Sequence, residues 1–289
     1  MPTQPIVVKL GGSAGIDPAH TLDDIAALWP RQPLVFVHGA NAALDAFTRA
    51  QGREPRLVTS ASGQVSRFTD RQTMDDFLAI YAGRTNTRLV EGLQARGVNA
   101  VGLTGLDGGL ARGVRKDALR IVEDGKPKVL RGDFAGSLTG IDTRLLELLL
   151  GNGYLPVICP PALSEAGEAI NVDGDKLALR LALALGAAAL VLLSNTAGLL
   201  ADVDDAGSLI RRVDVADDAS VERAMAAAAG RMKKKVQAGV DAVRAGVPRV
   251  AFGDARIAQP IKQALAGVGT LLASDAQLQN VSAEVGMEA

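Results

Sequence analysis

Short apolar runs recur along this chain, at Ile6–Leu10, Leu34–His38, Ala100–Leu103, Leu155–Cys159, Ala189–Leu193 and Arg249–Phe252. They are rich in Val, Ile and Leu with little polar alternation, as strands buried on both faces require. Between them helical patterns run over Pro18–Trp29, Ala42–Gln51, Arg71–Tyr81, Thr85–Arg96, Thr143–Asn152, Asp175–Leu185, Ser220–Ala229, Arg231–Ala245 and Ala258–Ala266. This alternation predicts an α/β fold with a largely parallel central sheet flanked by helices. At 289 residues the chain is long enough for two lobes. The stretch "INVDGD" (Ile170–Asp175) is the expected junction, inside a continuous sheet. One interruption stands out: "EDGK" (Glu123–Lys126), between Leu119–Val122 and Pro127–Leu130, predicts a protruding β-hairpin. The segment from Ser274 onward is weakly patterned and is expected to be a short appendage.

Composition narrows the function classes. The net charge is −1, so no global field argues for nucleic acid or a membrane surface. The apolar run Leu181–Leu193 is too short to span a bilayer, and the N-terminus has no charged-then-apolar leader pattern. A cytoplasmic location is therefore expected. A single cysteine, Cys159, excludes an internal disulfide framework, and two histidines, His20 and His38, are few for a metal centre. No protein-held metal is predicted.

Three strand ends carry glycine: "KLGGS" (Lys9–Ser13), "VHGAN" (Val37–Asn41) and "LTGLDGG" (Leu103–Gly109). Ligands of open α/β sheets bind beyond the carboxyl ends of the strands. Glycine there lets backbone N–H groups approach an anion, although each turn could equally be a tight strand-to-helix connection. Lys9 sits at the end of an apolar strand and needs an anionic partner to offset its desolvation. Neither GxxxxGK[ST] nor GxGxxG occurs at these turns, so the common nucleotide signatures do not explain it. A second group of cations opens the helix near Arg231. Met232, Val236, Val240 and Val243 form its apolar stripe. Lys234 lies opposite, while Lys233 and Lys235 flank the stripe and geometry leaves both open.

Taken together, "VVKLGGS", "VHGAN", "SRFTD" (Ser66–Asp70), "INVDGDKLA" (Ile170–Ala178), "LLSNTAGLL" (Leu192–Leu200) and "GRMKKKV" (Gly230–Val236) resemble the amino acid kinase family. The match in order and spacing runs over about residues 5 to 273. Within the family the chain is similar to the acetylglutamate kinase branch. "GQVSRFTDRQTM" (Gly63–Met74) and "NGYLPVICPPAL" (Asn152–Leu163) bring it nearest to the kinases that act on 2-aminoadipate held by a small acidic, LysW-like carrier protein in lysine synthesis.

The resemblance implies the chemistry. A side-chain carboxylate attacks the γ-phosphate of ATP and becomes an acyl phosphate, with Mg²⁺ bridging the ATP phosphates. It implies catalytic roles for Lys9 and Lys235, on the charge that develops in the transition state, and for Asp175, which orients the two lysines. Asp175 also suits the first turn of a helix in its own right. It implies nucleotide contacts at Gly11, Gly12, Ser194, Asn195 and Gly198, with Gly11 and Gly12 donating N–H groups to phosphoryl oxygens. Substrate contacts fall on the N–H groups of Gly39, Ala40 and Asn41, and on Arg67 and Asn171. Ala40 and Asn41 depart from the family pattern, which commonly has glycines there. Residues 1–170 would form an N-terminal acyl-substrate lobe and residues 171–289 a C-terminal nucleotide-binding lobe. A carboxylate nucleophile needs no base at neutral pH, so His38 is expected to be structural.

The acceptor is the open question. From Arg112 to Arg131 seven basic residues (Arg112, Arg115, Lys116, Arg120, Lys126, Lys128, Arg131) outnumber three acidic ones (Asp117, Glu123, Asp124). That excess, on a hairpin, suits an acidic carrier, although lysines also protect edge strands. The alternatives are a kinase of free acetylglutamate in arginine synthesis and a non-catalytic amino-acid-sensing module. Lys9, Asp175 and Lys235 together argue against the module. A homodimer is what the resemblance implies.

Overall fold

The computed structural model describes residues 4–60, 63, 65–116, 118–123 and 126–274. An eight-stranded sheet runs in the order Arg212–Asp214, Thr270–Ala273, Arg249–Asp254, Ala189–Ser194, Ile6–Leu10, Leu34–His38, Leu155–Cys159, Ala100–Thr104. Every pairing is parallel except that between Arg249–Asp254 and Thr270–Ala273. The α/β class and all the expected strands are present. Arg212–Asp214 and Thr270–Ala273 were not expected; they are too short to give a periodic signal.

Residue parity decides what each strand presents. Ile6, Val8 and Leu10 pack on one face with the helices Ala19–Leu28, Thr87–Gln94 and Pro260–Leu265. Val7 packs on the other, with Leu177 and Leu181 of the helix Gly174–Ala184 and Val236 and Val240 of the helix Gly230–Arg244. Two residues on from Val7, Lys9 must share that second face. Its register places it between Val37 and Leu192 on the flanking strands. The first strand is where the sheet switches direction of growth. The chain continues to one side through Leu34–His38, and the C-terminal strands extend the other side. Crevices at such points are where α/β sheets bind ligands.

Beside the main sheet lies a four-stranded one, in the order Ala169–Ile170, Ala162–Ser164, Ala111–Arg115, Gly136–Ile141. The expected hairpin is formed by Ala118–Glu123 and Lys126–Arg131, and its tip falls outside the described residues. A second hairpin, Leu57–Thr59 with Val65–Arg67, joins it through a bridge between Ser60 and Ile121. Val58, Phe68, Ile121 and Leu130 form a small separate core beneath the two. The segment 275–289 also lies outside the described residues.

The two helices expected over 71–96 are continuous. Asp70 caps Arg71–Phe77 by accepting from the Thr73 N–H at 2.8 Å. The chain then widens into a π-helix, Leu78–Asn86, and tightens again over Thr87–Gln94. The expected break fell at Gly83, where the backbone widens instead of stopping.

Gly12 shows how closely the first two strand-end turns pack. A Cβ built there would lie 2.3 Å from the Ala40 nitrogen and 2.6 Å from that of Asn41. Gly12→Ala is therefore expected to lower stability by about 1–3 kcal/mol, the usual cost of overpacking, in urea titration. Gly140→Ala, where a Cβ meets nothing within 4 Å, is the control and should stay within roughly 0.5 kcal/mol.

Candidate active site

Lys9 finds its anion. Its Nζ lies 2.6 Å from Asp175 Oδ1, with the lysine side chain 11% exposed and the aspartate 24%. Oδ1 makes no aligned hydrogen bond, so the contact is an ion pair. Asp175 is positioned by the start of its helix: Asp173, the N-cap, accepts from the N–H groups of Asp175 at 2.9 Å and Lys176 at 3.0 Å. Of the two lysines left open by helix geometry, Lys235 is buried and Lys233 is exposed. Burial acts most strongly on both Asp175 and Lys235. It lowers the Lys235 ammonium below its ordinary value, with Asp175 opposing. It works against the Asp175 charge too, but Lys9 and Lys235 outweigh it and hold the carboxyl below the usual range. Three residues separated widely in sequence thus form one electrostatically linked group of two lysines and a carboxylate.

The glycine turns correct two expectations. The Gly11 N–H donates to the Leu193 carbonyl at 2.9 Å, so it is not a free phosphate donor. The Gly39 N–H likewise donates to the Leu10 carbonyl at 2.9 Å. Both have one cause: the parallel ladder runs one residue past each strand end and takes the first N–H of the turn. Ala40 is buried. Its Cβ packs with Met74, Phe77 and Tyr81. No partner is seen for the N–H groups of Gly12 and Asn41 among the described residues, and Asn41 opens the helix Asn41–Ala50.

Arg67 ends a strand and pairs through Nη2 with Asp45; its side chain is 10% exposed and its Nη1 is buried with no partner. Asn171 donates from Nδ2 to Thr69 Oγ1 at 3.0 Å. Its main chain is stitched to the neighbouring strand, accepting from the Gly136 N–H and donating to the Phe134 carbonyl. Asp133, absent from the expected site, is the buried hub of this corner: Oδ1 accepts from the N–H groups of Thr69 and Ala135, each at 3.0 Å. Arg115 donates to the Asp133 carbonyl at 2.8 Å and lies 3.6 Å over the Phe134 ring. No periodicity marks an aspartate inside "RGDFAG"; only its burial reveals it.

On the other side of the first strand, Ser194 lies at the end of Ala189–Ser194, its Oγ 3.1 Å from Thr196 Oγ1, and Asn195 is exposed. Gly198 is buried, and a Cβ there would sit 2.6 Å from Thr270 Oγ1. Its role in this chain is to let the loop pack on that strand.

His38 is structural, as expected. It is wholly buried, and Asn86 Nδ2 lies 3.1 Å from its Nε2. The Asn86 amide also donates to the Val157 and Leu103 carbonyls, which fixes Nε2 as acceptor and leaves Nδ1–H toward the Gly39 carbonyl, 3.4 Å away.

A family model described as the amino acid kinase family matches residues 4–254. A [LysW]-aminoadipate kinase of Deinococcus radiodurans is 53% identical over 268 residues, covering 92% of this chain and 91% of the relative. That of Thermus thermophilus is 50% identical, covering 92% and 99%. A solved Giardia lamblia carbamate kinase bound to AMP-PNP superposes with a TM-score of 0.66 at 15% identity, over 95% of this chain and 99% of that one. At that identity it speaks for the fold alone.

Burial drives His38 from 6.5 down to about 4, and Lys9 pushes the same way against the Gly39 hydrogen bond. Between those values the unfolded chain binds a proton that the folded chain refuses, so stability falls as pH drops from 6.5 toward 4, by roughly 3 kcal/mol in all. Chemical denaturation across this window should reveal that slope, and His38→Gln should flatten it.

Proposed function

Because this chain belongs to the amino acid kinase family, we propose that it transfers the γ-phosphoryl group of ATP to the side-chain carboxylate of 2-aminoadipate carried on a small acidic LysW-like protein, a step of lysine synthesis. The observation that supports this most is the coupled Lys9–Asp175–Lys235 group at the switch point of the sheet, together with the 50–53% identity to enzymes of that name.

The reaction joins two anions. A carboxylate oxygen of the acceptor forms a bond to the γ-phosphorus, the bond from that phosphorus to the β,γ-bridging oxygen breaks, and ADP leaves with the electron pair. No proton need move to the protein. The catalytic task is positioning and positive charge. Lys9 meets the phosphoryl oxygens from the strand end and Lys235 from the helix, while Asp175 orients both ammonium groups. The free N–H groups of Gly12 and Asn41 supply further donors, and Gly11 lends the close approach of a residue without Cβ. Ser194, Asn195 and Gly198 border the nucleotide. Magnesium, carried on the ATP phosphates, would screen their charge. Arg67 and Asn171 hold the acceptor. Residues 1–170 serve as the acceptor lobe and 171–289 as the nucleotide lobe.

The carrier docks on the hairpin side. Arg120, Lys126 and Arg131 are exposed there, and Val122 and Val129 are 42% and 54% exposed between them. Arg120 and Val129 are direct partners across the hairpin, and Val122 and Arg131 share their face by the strand period, so that face offers Arg120 and Arg131 beside an apolar centre while Lys126 lies on the other face. Free acetylglutamate would need no such face, which is why the carrier reading is preferred. Among the described residues no helix is long and apolar enough to cross a membrane; the enzyme works as a cytoplasmic homodimer in this proposal.

Lys9→Ala and Lys235→Ala are expected to cut kcat by about 10²–10³-fold, as loss of a transition-state donor does. Asp175→Asn should lower kcat with the Kd for ATP nearly unchanged, and its combination with Lys9→Ala should be non-additive. Steady-state kinetics with aminoadipate-loaded carrier checks all three. Near-wild-type turnover by a folded lysine variant would remove that residue from the mechanism.

For the docking face, Arg120→Glu with Arg131→Glu is expected to raise the KM for the loaded carrier about tenfold at low salt, an effect that salt should erode. Vigorous phosphorylation of free acetylglutamate and none of the loaded carrier would overturn the assigned acceptor.

A further inference from the structure

The departure from glycine at Ala40 and Asn41 is tied to the π-helical stretch. Tyr81, on its inner side and only 3% exposed, donates its hydroxyl proton to Asn41 Oδ1 at 2.9 Å. A phenol has one proton, and here it goes to Asn41 Oδ1. The Asn41 carboxamide therefore has its acceptor end occupied. Both hydrogens of its exposed Nδ2 remain, with no partner among the described residues.

The surroundings state what these hydrogens would meet. Asp45 lies one turn along the same helix and pairs with Arg67, whose second nitrogen, Nη1, is buried and unpartnered. Phe77 stacks on Tyr81 at 3.8 Å between ring centroids, fixing the phenol. Asn86, at the far end of the same π-helix, grips His38 and the Val157 carbonyl at 3.1 and 3.0 Å. The widened helix thus holds the His38–Asn41 turn at both ends. π-Helical turns are rare and cluster at functional sites. The corner has two spare donors, Arg67 Nη1 and Asn41 Nδ2, and no net charge once Arg67 is paired. An acceptor-only group fits it.

We propose that the Asn41 carboxamide, oriented by Tyr81, is a hydrogen-bond donor to a carboxylate oxygen of the phosphoryl acceptor, and that Tyr81 is the positioning residue for that contact. The inference rests on the acceptor reading above but concerns a different contact from those of Lys9 and Lys235. Asn41→Asp keeps the Tyr81 bond and replaces the donor with a second carboxylate beside Asp45, so it is the most informative change.

With aminoadipate-loaded carrier, Asn41→Asp is expected to lower kcat/KM for the acceptor about 100-fold and Asn41→Gly about tenfold, the scale of losing a charge-assisted hydrogen bond. The KM for ATP should stay within about twofold in both, a split that general damage to the fold would not produce. Tyr81→Phe should cost severalfold alone and nothing further in the Asn41→Gly background. An unchanged acceptor kcat/KM in Asn41→Asp and Asn41→Gly, or additive effects of Tyr81→Phe, would overturn the inference. If the wild type is inert toward the loaded carrier but phosphorylates acetylglutamate, the acceptor reading fails by itself. The same variants assayed on acetylglutamate then decide the Asn41 contact.

Discussion

A lysine at the end of a strand buried on both faces is the constraint that organises this molecule. Lys9 shares the face of Val7 by the two-residue period of the strand, and that face is covered by the helices Gly174–Ala184 and Gly230–Arg244. An ammonium there needs a counter-charge. Asp175 supplies it from the first turn of one helix, and the charge of Lys235, on the other, acts on the same carboxylate. A buried ion pair is a poor source of stability, since desolvation offsets most of the attraction. A group with two cations to one anion makes sense as a site preorganised for a further anion. The transferring phosphoryl group is that anion in the function proposed here.

The turns around this group obey a second rule. Parallel ladders do not end where the strand does. The N–H groups of Gly11, Gly39, Gly105 and Ala255 all continue to neighbouring carbonyls. The donors left for ligands begin one residue later than a motif-based assignment places them. Gly12 is forced to remain glycine by the backbone of Ala40 and Asn41, not by a conformational need of its own. The two turns are one packed unit, and the N–H groups of Gly12 and Asn41 belong to it together.

The acceptor corner is built differently, from side chains reaching across long sequence distances. Asp133 ties Thr69 to Ala135, Asn171 reaches Thr69, and Arg115 is clamped over Phe134. Such a corner is rigid only as a whole, because its ties run between segments far apart in the chain. It adjoins the two hairpins, which share a separate small core and carry the docking face in the function proposed here.

Six of the eight central strands and the helical patterns between them were legible in the sequence, because uninterrupted Val, Ile and Leu runs between helical patterns have few other solutions. Lys9 at an apolar strand end raised the need for an anion, and the resemblance of the motifs to the amino acid kinase family implied the kind of chemistry. The hairpin was legible for the same local reason. Tertiary structure decided the rest. Lys233 and Lys235 flank one apolar stripe equally, and only the packing of their helix against Gly174–Ala184 and the strands Arg249–Asp254 and Thr270–Ala273 buries Lys235. Gly11 and Gly39 look like donors until the ladder claims their N–H groups. Tyr81, Asn86 and Asp133 carry no local signal, since each matters through a partner between 40 and 71 residues away. Hydrogen-bond partnership at that separation is a property of the folded chain, and no window of sequence contains it.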